Sequence, residues 1–408
     1  MDFDLSSDQI ALRDAASALL DKYSSMDRVR LVVGEGEVVG TLPGAVVPVD
    51  SDSKKPIGRE STPNPAYDLE LWRAMADQGW LGIEVEEEDG GLEMGMVEVA
   101  VLCEQIGRHL APAPFLSSVL CLGAVRDALK SNTKDALGDS VRNQLNQWCV
   151  ALSTGEAIGA VVWIPETQSS STLDSRPQDA ANATVLLSGR VGPTTYSASA
   201  DLVVIVQDKI GVFLVSSQDL GVRSNEPAMD RTRELGWIDL DSTPALTIGD
   251  SDSATRILDR AATATAAEML GTAERALEMA VEYARDRVQF GKPIGSFQAI
   301  KHMLADALVD VEGMRSTVYY GGWCTATNDP ESSLAASMAK SWGSDASRRV
   351  LATALQVHGG IGFTWEHDMH LYLKRAQLDQ VSFGDGPWHR DRIASLLHDR
   401  IENGQSVL

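Results

Sequence analysis

The apolar residues of this chain change their period twice, and that change restricts the folds open to it. From Ser6 to about Asp139 they recur at helical spacing. Between about Trp148 and Asp250 they fall into short strand-forming runs bounded by turn residues, and from Ser253 almost to the end the helical spacing returns. A length of 408 residues fits two or three domains, each able to bury a core. The expected organisation is an N-terminal α-helical domain over 1–147, a middle β domain (barrel or sandwich) over 148–252, and a C-terminal helical bundle over 253–408.

Local signals sharpen each zone. Ser6-Ser7-Asp8-Gln9 has the spacing of a capping box, in which a hydroxyl and an amide satisfy each other's backbone donors. Residues 34–67 are rich in Gly, Pro, Asp and Ser and read as an extended surface loop. Ala160–Ile164, Ala183–Leu187, Leu202–Val206 and Gly211–Val215 read as strands, whereas Gln168–Ala181 is polar enough to read as a loop. Ala254 to Arg287 can form one helix of about 50 Å. Pro293 and Gly295 interrupt it, and Ser296 is placed to cap a next helix carrying Ile300, Leu304, Leu308 and Val311. Another helix is expected from Ser332 to His358, and a shorter one over the last residues.

Charge excludes several functions. Asp plus Glu number 58 against 35 Lys plus Arg, a net charge of -23 that repels nucleic-acid phosphate and anionic membrane surfaces. Cys103, Cys121, Cys149 and Cys324 are scattered without a C-x-x-C pair, as expected of reduced thiols in a cytoplasm. The first residues are acidic where a signal peptide is basic, and no apolar run reaches the roughly 18 residues that span a bilayer. The expectation is a cytoplasmic protein with neither nucleic acid nor membrane as partner. His358, His367 and His370 cluster, but no matching Cys or carboxylate set accompanies them, so no metal is expected.

Against this acidic background the segment Arg285-Asp-Arg-Val-Gln-Phe-Gly-Lys-Pro-Ile-Gly-Ser-Phe-Gln gathers cations, aromatics and glycines. A guanidinium can fork onto a pyrophosphate, a phenylalanine can pack on a purine, and glycine lets backbone amides approach phosphate. The same residues also suit a plain cationic helix end followed by a turn. A second cluster, Gln356-Val-His-Gly-Gly-Ile-Gly-Phe, is by itself only a helix stop. Together, Arg287-x-Gln-Phe-Gly-x-x-Ile-x-x-Phe-Gln298 and Gln356-x-x-Gly-Gly-x-Gly-Phe363 closely resemble the acyl-CoA dehydrogenase family of flavoproteins, and the helical, β, helical zoning agrees.

That resemblance implies FAD as cofactor, an acyl-CoA substrate, and electron-transfer flavoprotein as electron acceptor. A carboxylate takes the α-proton while hydride leaves the β-carbon for the flavin, giving a 2,3-enoyl-CoA. In the family's tetramers the two motifs hold the ADP half of a neighbouring subunit's FAD. The resemblance thus assigns Arg287, Gln289, Phe290, Gly291, Ile294 and Phe297, with Gln356, Gly359 and Gly360, to cofactor binding.

Three departures stand beside the match. The family's commonest base position falls here on Phe383, and the alternative position on the preceding long helix falls on Ala261; neither can accept a proton. The flavin-lining stretches of the middle domain are replaced by Val161-Val-Trp-Ile-Pro-Glu-Thr and Gly189-Arg-Val-Gly-Pro-Thr-Thr-Tyr. What grips a neighbour's cofactor is kept, while what serves the chain's own flavin and base is missing. The expectation is a subunit without a catalytic residue of its own, completing the FAD site of a homologous catalytic subunit in an α2β2 enzyme. Such heteromers in the family are associated with actinobacterial breakdown of steroid side chains as CoA thioesters. The alternatives are a self-sufficient homotetrameric dehydrogenase with a displaced base, Asp385 or more remotely Glu268, and a binding protein that keeps the fold without flavin.

Overall fold

The computed structural model describes residues 4–34, 67–130, 138–166, 172–179 and 183–404. The extended loop expected over 34–67 lies almost wholly outside the described residues. The helices α1 (Ser7–Tyr23), α2 (Met26–Val32), α3 (Leu69–Asp77), α4 (Met96–Arg108), α5 (Phe115–Lys130) and α6 (Asp139–Ser153) come first. Strands β1 (Gly159–Ile164), β2 (Thr172–Asp179), β3 (Thr184–Thr195), β4 (Leu202–Gln207), β5 (Gly211–Ser216), β6 (Arg223–Asn225) and β7 (Leu235–Gly249) follow. Then come α7 (Ser251–Asp286), the short β8 (Val288–Gln289) and β9 (Lys292–Pro293), α8 (Gln298–Ala326), α9 (Ser332–His358), α10 (Met369–Val381) and α11 (Gly386–Glu402). The described residues include no helix long and apolar enough to cross a membrane.

Contacts group the chain into two compact units, one of Met1–Met26, Gly95–Ala111 and Asp259–Leu408, the other of Asp27–Met94 and Pro112–Leu258. The second unit is built on one sheet with strand order β1-β4-β5-β7-β3-β2 and β6 paired to β7. Only β1 and β4 run parallel; the other pairs are antiparallel, in registers such as Ile205↔Phe213 and Val191↔Ile238. Leu187, Val191, Val203, Ile205, Phe213 and Ile238 form its core, all buried. β2 corrects the loop expected over Gln168–Ala181. It pairs only with β3 at the sheet's edge, where exposed Asp174, Ser175 and Arg176 suit a strand whose side chains meet water.

The first unit is helical apart from the short β8–β9 hairpin. The capping box forms as the sequence predicts: Gln9 N–H donates to Ser6 Oγ at 3.2 Å, and Ser6 N–H to Gln9 Oε1 at 2.9 Å. Glycine permits the close crossing of α4 and α7. A Cβ at Gly107 would lie 2.0 Å from the Glu268 carbonyl oxygen, and one at Gly271 only 1.7 Å from that of Glu104. Ser296 does not cap α8: its hydroxyl donates to Pro293 O at 2.7 Å, and Phe297 occupies the cap position without a side-chain bond. Of the apolar face expected on α8, Val311 is buried but Leu308 is 51% exposed and its neighbour Val309 69%. Ile300 and Leu304 are half-buried, so the exposed apolar surface of this helix is confined to Leu308 and Val309.

Candidate cofactor-binding edge

The arginine turn hangs from the last turn of α7. Arg287 N–H donates to Tyr283 O at 2.8 Å, and Ile294 N–H to Arg287 O at 2.8 Å, closing the loop at its base. Between them β8 and β9 pair Val288 with Pro293 and Gln289 with Lys292. Phe290 and Gly291 form the two-residue tip with φ of 53° and 78°, the left-handed conformation such a tight hairpin demands. Phe290 is 91% exposed; its ring edge meets Phe297 at 6.0 Å, and Lys292 Nζ sits 4.4 Å over the Phe297 ring. The side chains of Arg287 and Gln289 are exposed and make no hydrogen bond or ion pair with the described residues.

The glycine turn follows α9. Gly359 takes φ 63° and ψ -142°, closed to other residues, and a Cβ at Gly359 or Gly360 would meet nothing within 4 Å. Gln356, one turn earlier, is exposed with its amide uncommitted among the described residues. Two side chains not singled out for this role in the sequence join the turns: the ring of Tyr283 stacks on that of His358 with centroids 4.7 Å and planes 27° apart.

The candidate bases lie at three different places in the helical unit. Asp385 is the N-cap of α11, accepting the Trp388 N–H at 2.9 Å. Glu268, the more remote candidate, is fully buried and its Oε1 accepts from Arg375 at 2.6 Å, so it sits in an internal ion pair of the helical unit. Ala261 is buried in α7. The turn carrying Phe383 and Gly384, with φ of 56° and 94°, is held from behind. Lys340 Nζ donates to Gly384 O at 2.7 Å, to Gln380 O at 2.9 Å and to Ser344 Oγ at 3.4 Å, and His389 Nε2 donates to Phe383 O at 2.9 Å. Burial pulls the Lys340 pKa down to about 7, partly countered by Asp379 and Asp385. Burial, with the charge of Lys340, pulls His389 down to about 3.

In the sheet unit, Glu166, within the stretch that replaces a flavin-lining motif, is bound by Lys209 at 2.5 Å. No group of three or more metal-ligating side chains occurs among the described residues; His358 instead packs between Tyr283 and His367, the latter ring 4.5 Å away. A cleft of about 710 Å³ lies on the helical unit, but its walls are paired charges such as Arg108 with Glu278 and Arg315 with Glu104, and none of the motif residues lines it.

Helical segments before and after one curled sheet, with an arginine turn and a glycine turn joined on a helical unit, define a flavoprotein dehydrogenase acting on acyl thioesters. The chain belongs to the acyl-CoA dehydrogenase family, whose C-terminal domain model matches residues 252–398 and whose N-terminal domain model matches residues 52–135. It is 30% identical to acyl-CoA dehydrogenase IpdE2 of Mycolicibacterium smegmatis over 91% of this chain and 93% of that one. Among solved structures it is similar to the ChsE4-ChsE5 complex from Mycobacterium tuberculosis, with TM-score 0.80, 25% identity, and 98% and 99% of the two chains covered. It also shares the fold of the steroid ACAD Tcur3481-Tcur3483, with TM-score 0.78 and 24% identity, covering 97% and 99% of the chains.

FAD is the cofactor of this family, and the arginine and glycine turns fit its ADP half. They offer an uncommitted guanidinium, two uncommitted amides, an exposed phenyl ring and open backbone at Gly359 and Gly360.

Proposed function

We infer that this chain is the companion subunit of a heteromeric, FAD-dependent acyl-CoA dehydrogenase, and that its two turns complete the FAD site of a homologous catalytic subunit. One observation carries the reading. The residues suited to a dinucleotide are exposed and uncommitted, whereas the position of the base is a phenylalanine and the nearby carboxylates Asp385 and Glu268 are committed to a helix cap and a buried ion pair. The two-component ChsE4-ChsE5 complex among the solved relatives supports the heteromeric arrangement. The exposed Leu308 and Val309 of α8, the helix that follows the arginine turn, support a protein neighbour there.

FAD, when bound, supplies the acceptor for hydride from the β-carbon of the acyl thioester. The role of this chain would be binding: Arg287 would fork onto a pyrophosphate, Gln289 and Gln356 would donate to the same half of the cofactor, and Phe290 would offer its ring to a purine. Proton abstraction falls to the partner, and the electrons leave through electron-transfer flavoprotein. The steroid ACAD among the structural relatives supports a steroid side-chain CoA thioester as substrate. Purification of the chain alone and with its partner tests the reading. The lone chain is expected colourless, and the co-expressed pair yellow, with the colour lost on Arg287→Met. A lone chain that binds FAD and forms enoyl-CoA would overturn it.

A further inference from the structure

The arginine and glycine turns lie some sixty residues apart in sequence and each ends in exposed, short-loop backbone, so something must fix their mutual register. We propose that His358 is the positioning residue that sets the two turns as one cofactor-gripping edge, acting through its stack on Tyr283. The proposal rests on the reading that these turns grip FAD.

Each side of the stack leads directly to one turn. The Tyr283 carbonyl accepts the Arg287 N–H at 2.8 Å, so the stacked ring belongs to the residue from which the arginine turn hangs. On the other side His358 immediately precedes Gly359, and a Cβ at Gly362 would lie 3.0 Å from His358 Cβ, so the glycine turn folds back over this same side chain. His358 itself has little freedom. Its Nδ1–H donates to Ala354 O at 2.7 Å, fixing the ring plane, and His367 closes its far face at 4.5 Å between centroids and 60° between planes. The side chain is 3% exposed, and this burial holds its pKa below the usual imidazole value despite the Ala354 hydrogen bond. The ring planes lie 27° apart at 4.7 Å between centroids, a stacked geometry specific to aromatic partners.

The test uses the assembled complex. FAD is titrated into the deflavinated protein by flavin fluorescence, with thermal melting followed in parallel. His358→Ala and Tyr283→Ala should each weaken FAD on the order of tenfold, as a small misplacement of a binding group does. The double variant should be no worse than either single one, because both remove one contact. His358→Phe, which keeps a ring, should bind FAD nearly as the parent does, whereas His358→Leu, which fills the space without stacking, should not. If Arg287→Met weakens FAD while His358→Ala does not, the positioning role is wrong and the reading of the turns survives. If Arg287→Met leaves FAD affinity unchanged, the reading of the turns itself fails. Should His358→Ala not fold, equal FAD affinity of His358→Phe and His358→Leu would contradict the proposal.

Discussion

Arg375 of α10 donates to Glu268 of α7 at 2.6 Å with both side chains fully buried, and the other arm of its guanidinium reaches Leu110 O at 3.5 Å. Removing one partner leaves the other charge stranded in the interior. Arg375→Met should therefore lower stability by about 3–5 kcal/mol. Denaturant unfolding checks this, and a loss below about 1 kcal/mol would contradict a buried ion pair whose partners depend on each other.

The crossing of α4 and α7 is set by backbone contact rather than by side-chain interlock. A methyl group at Gly271 would lie 1.7 Å from the Glu104 carbonyl oxygen, so Gly271→Ala must spread the helices. The expected loss is about 3 kcal/mol. At Gly291, on the open tip of the arginine turn, a Cβ meets nothing within 4 Å, and the strain of Ala there comes only from its φ of 78°. Comparing the melting temperatures of the two variants separates crowding from backbone strain.

Asp385 caps α11 through the Trp388 N–H. Asn caps as well as Asp, so Asp385→Asn in the active complex should leave both turnover and stability unchanged, while Asp385→Ala should cost about 1 kcal/mol without altering turnover. A large loss of turnover in Asp385→Asn with unchanged melting would restore Asp385 as a displaced base.

Lys340 gives the turn beside Asp385 a pH signature. Its pKa is about 7 in the folded chain and near the ordinary lysine value when unfolded, so between these the unfolded state holds more protons and stability rises with pH. Below about pH 7 both states are charged and the slope from this group vanishes. In Lys340→Met the rise should disappear, although the Gln380 and Gly384 carbonyls lose their donor. The stability difference between parent and variant, followed from pH 6 to pH 10 as roughly the window set by the two pKa values, checks this. A pH-independent difference would contradict the burial of a titrating amine.

Much of the fold was legible where local chemistry and tertiary packing agree. The Ser6–Gln9 capping box forms as read, and the helix expected from Ser332 to His358 has those bounds. The misreadings share a cause. β2 is polar and is a strand only because β3 pairs with it. Ser296 has cap chemistry, yet its hydroxyl turns back to Pro293 O within its own turn. At the site, the motif residues were readable because their types suit phosphate and purine. The Tyr283–His358 stack was not, since ring contact across two helices leaves no spacing signal along the chain.

This subunit is expected to supply only the gripping edge of a shared cofactor site. Counting FAD against protein in the purified complex tests it most directly, by flavin absorbance after denaturation and quantitative amino-acid analysis. One FAD for every two chains is expected, together with a lone chain that binds none. One FAD per chain, or a lone chain that holds FAD stoichiometrically, would contradict it.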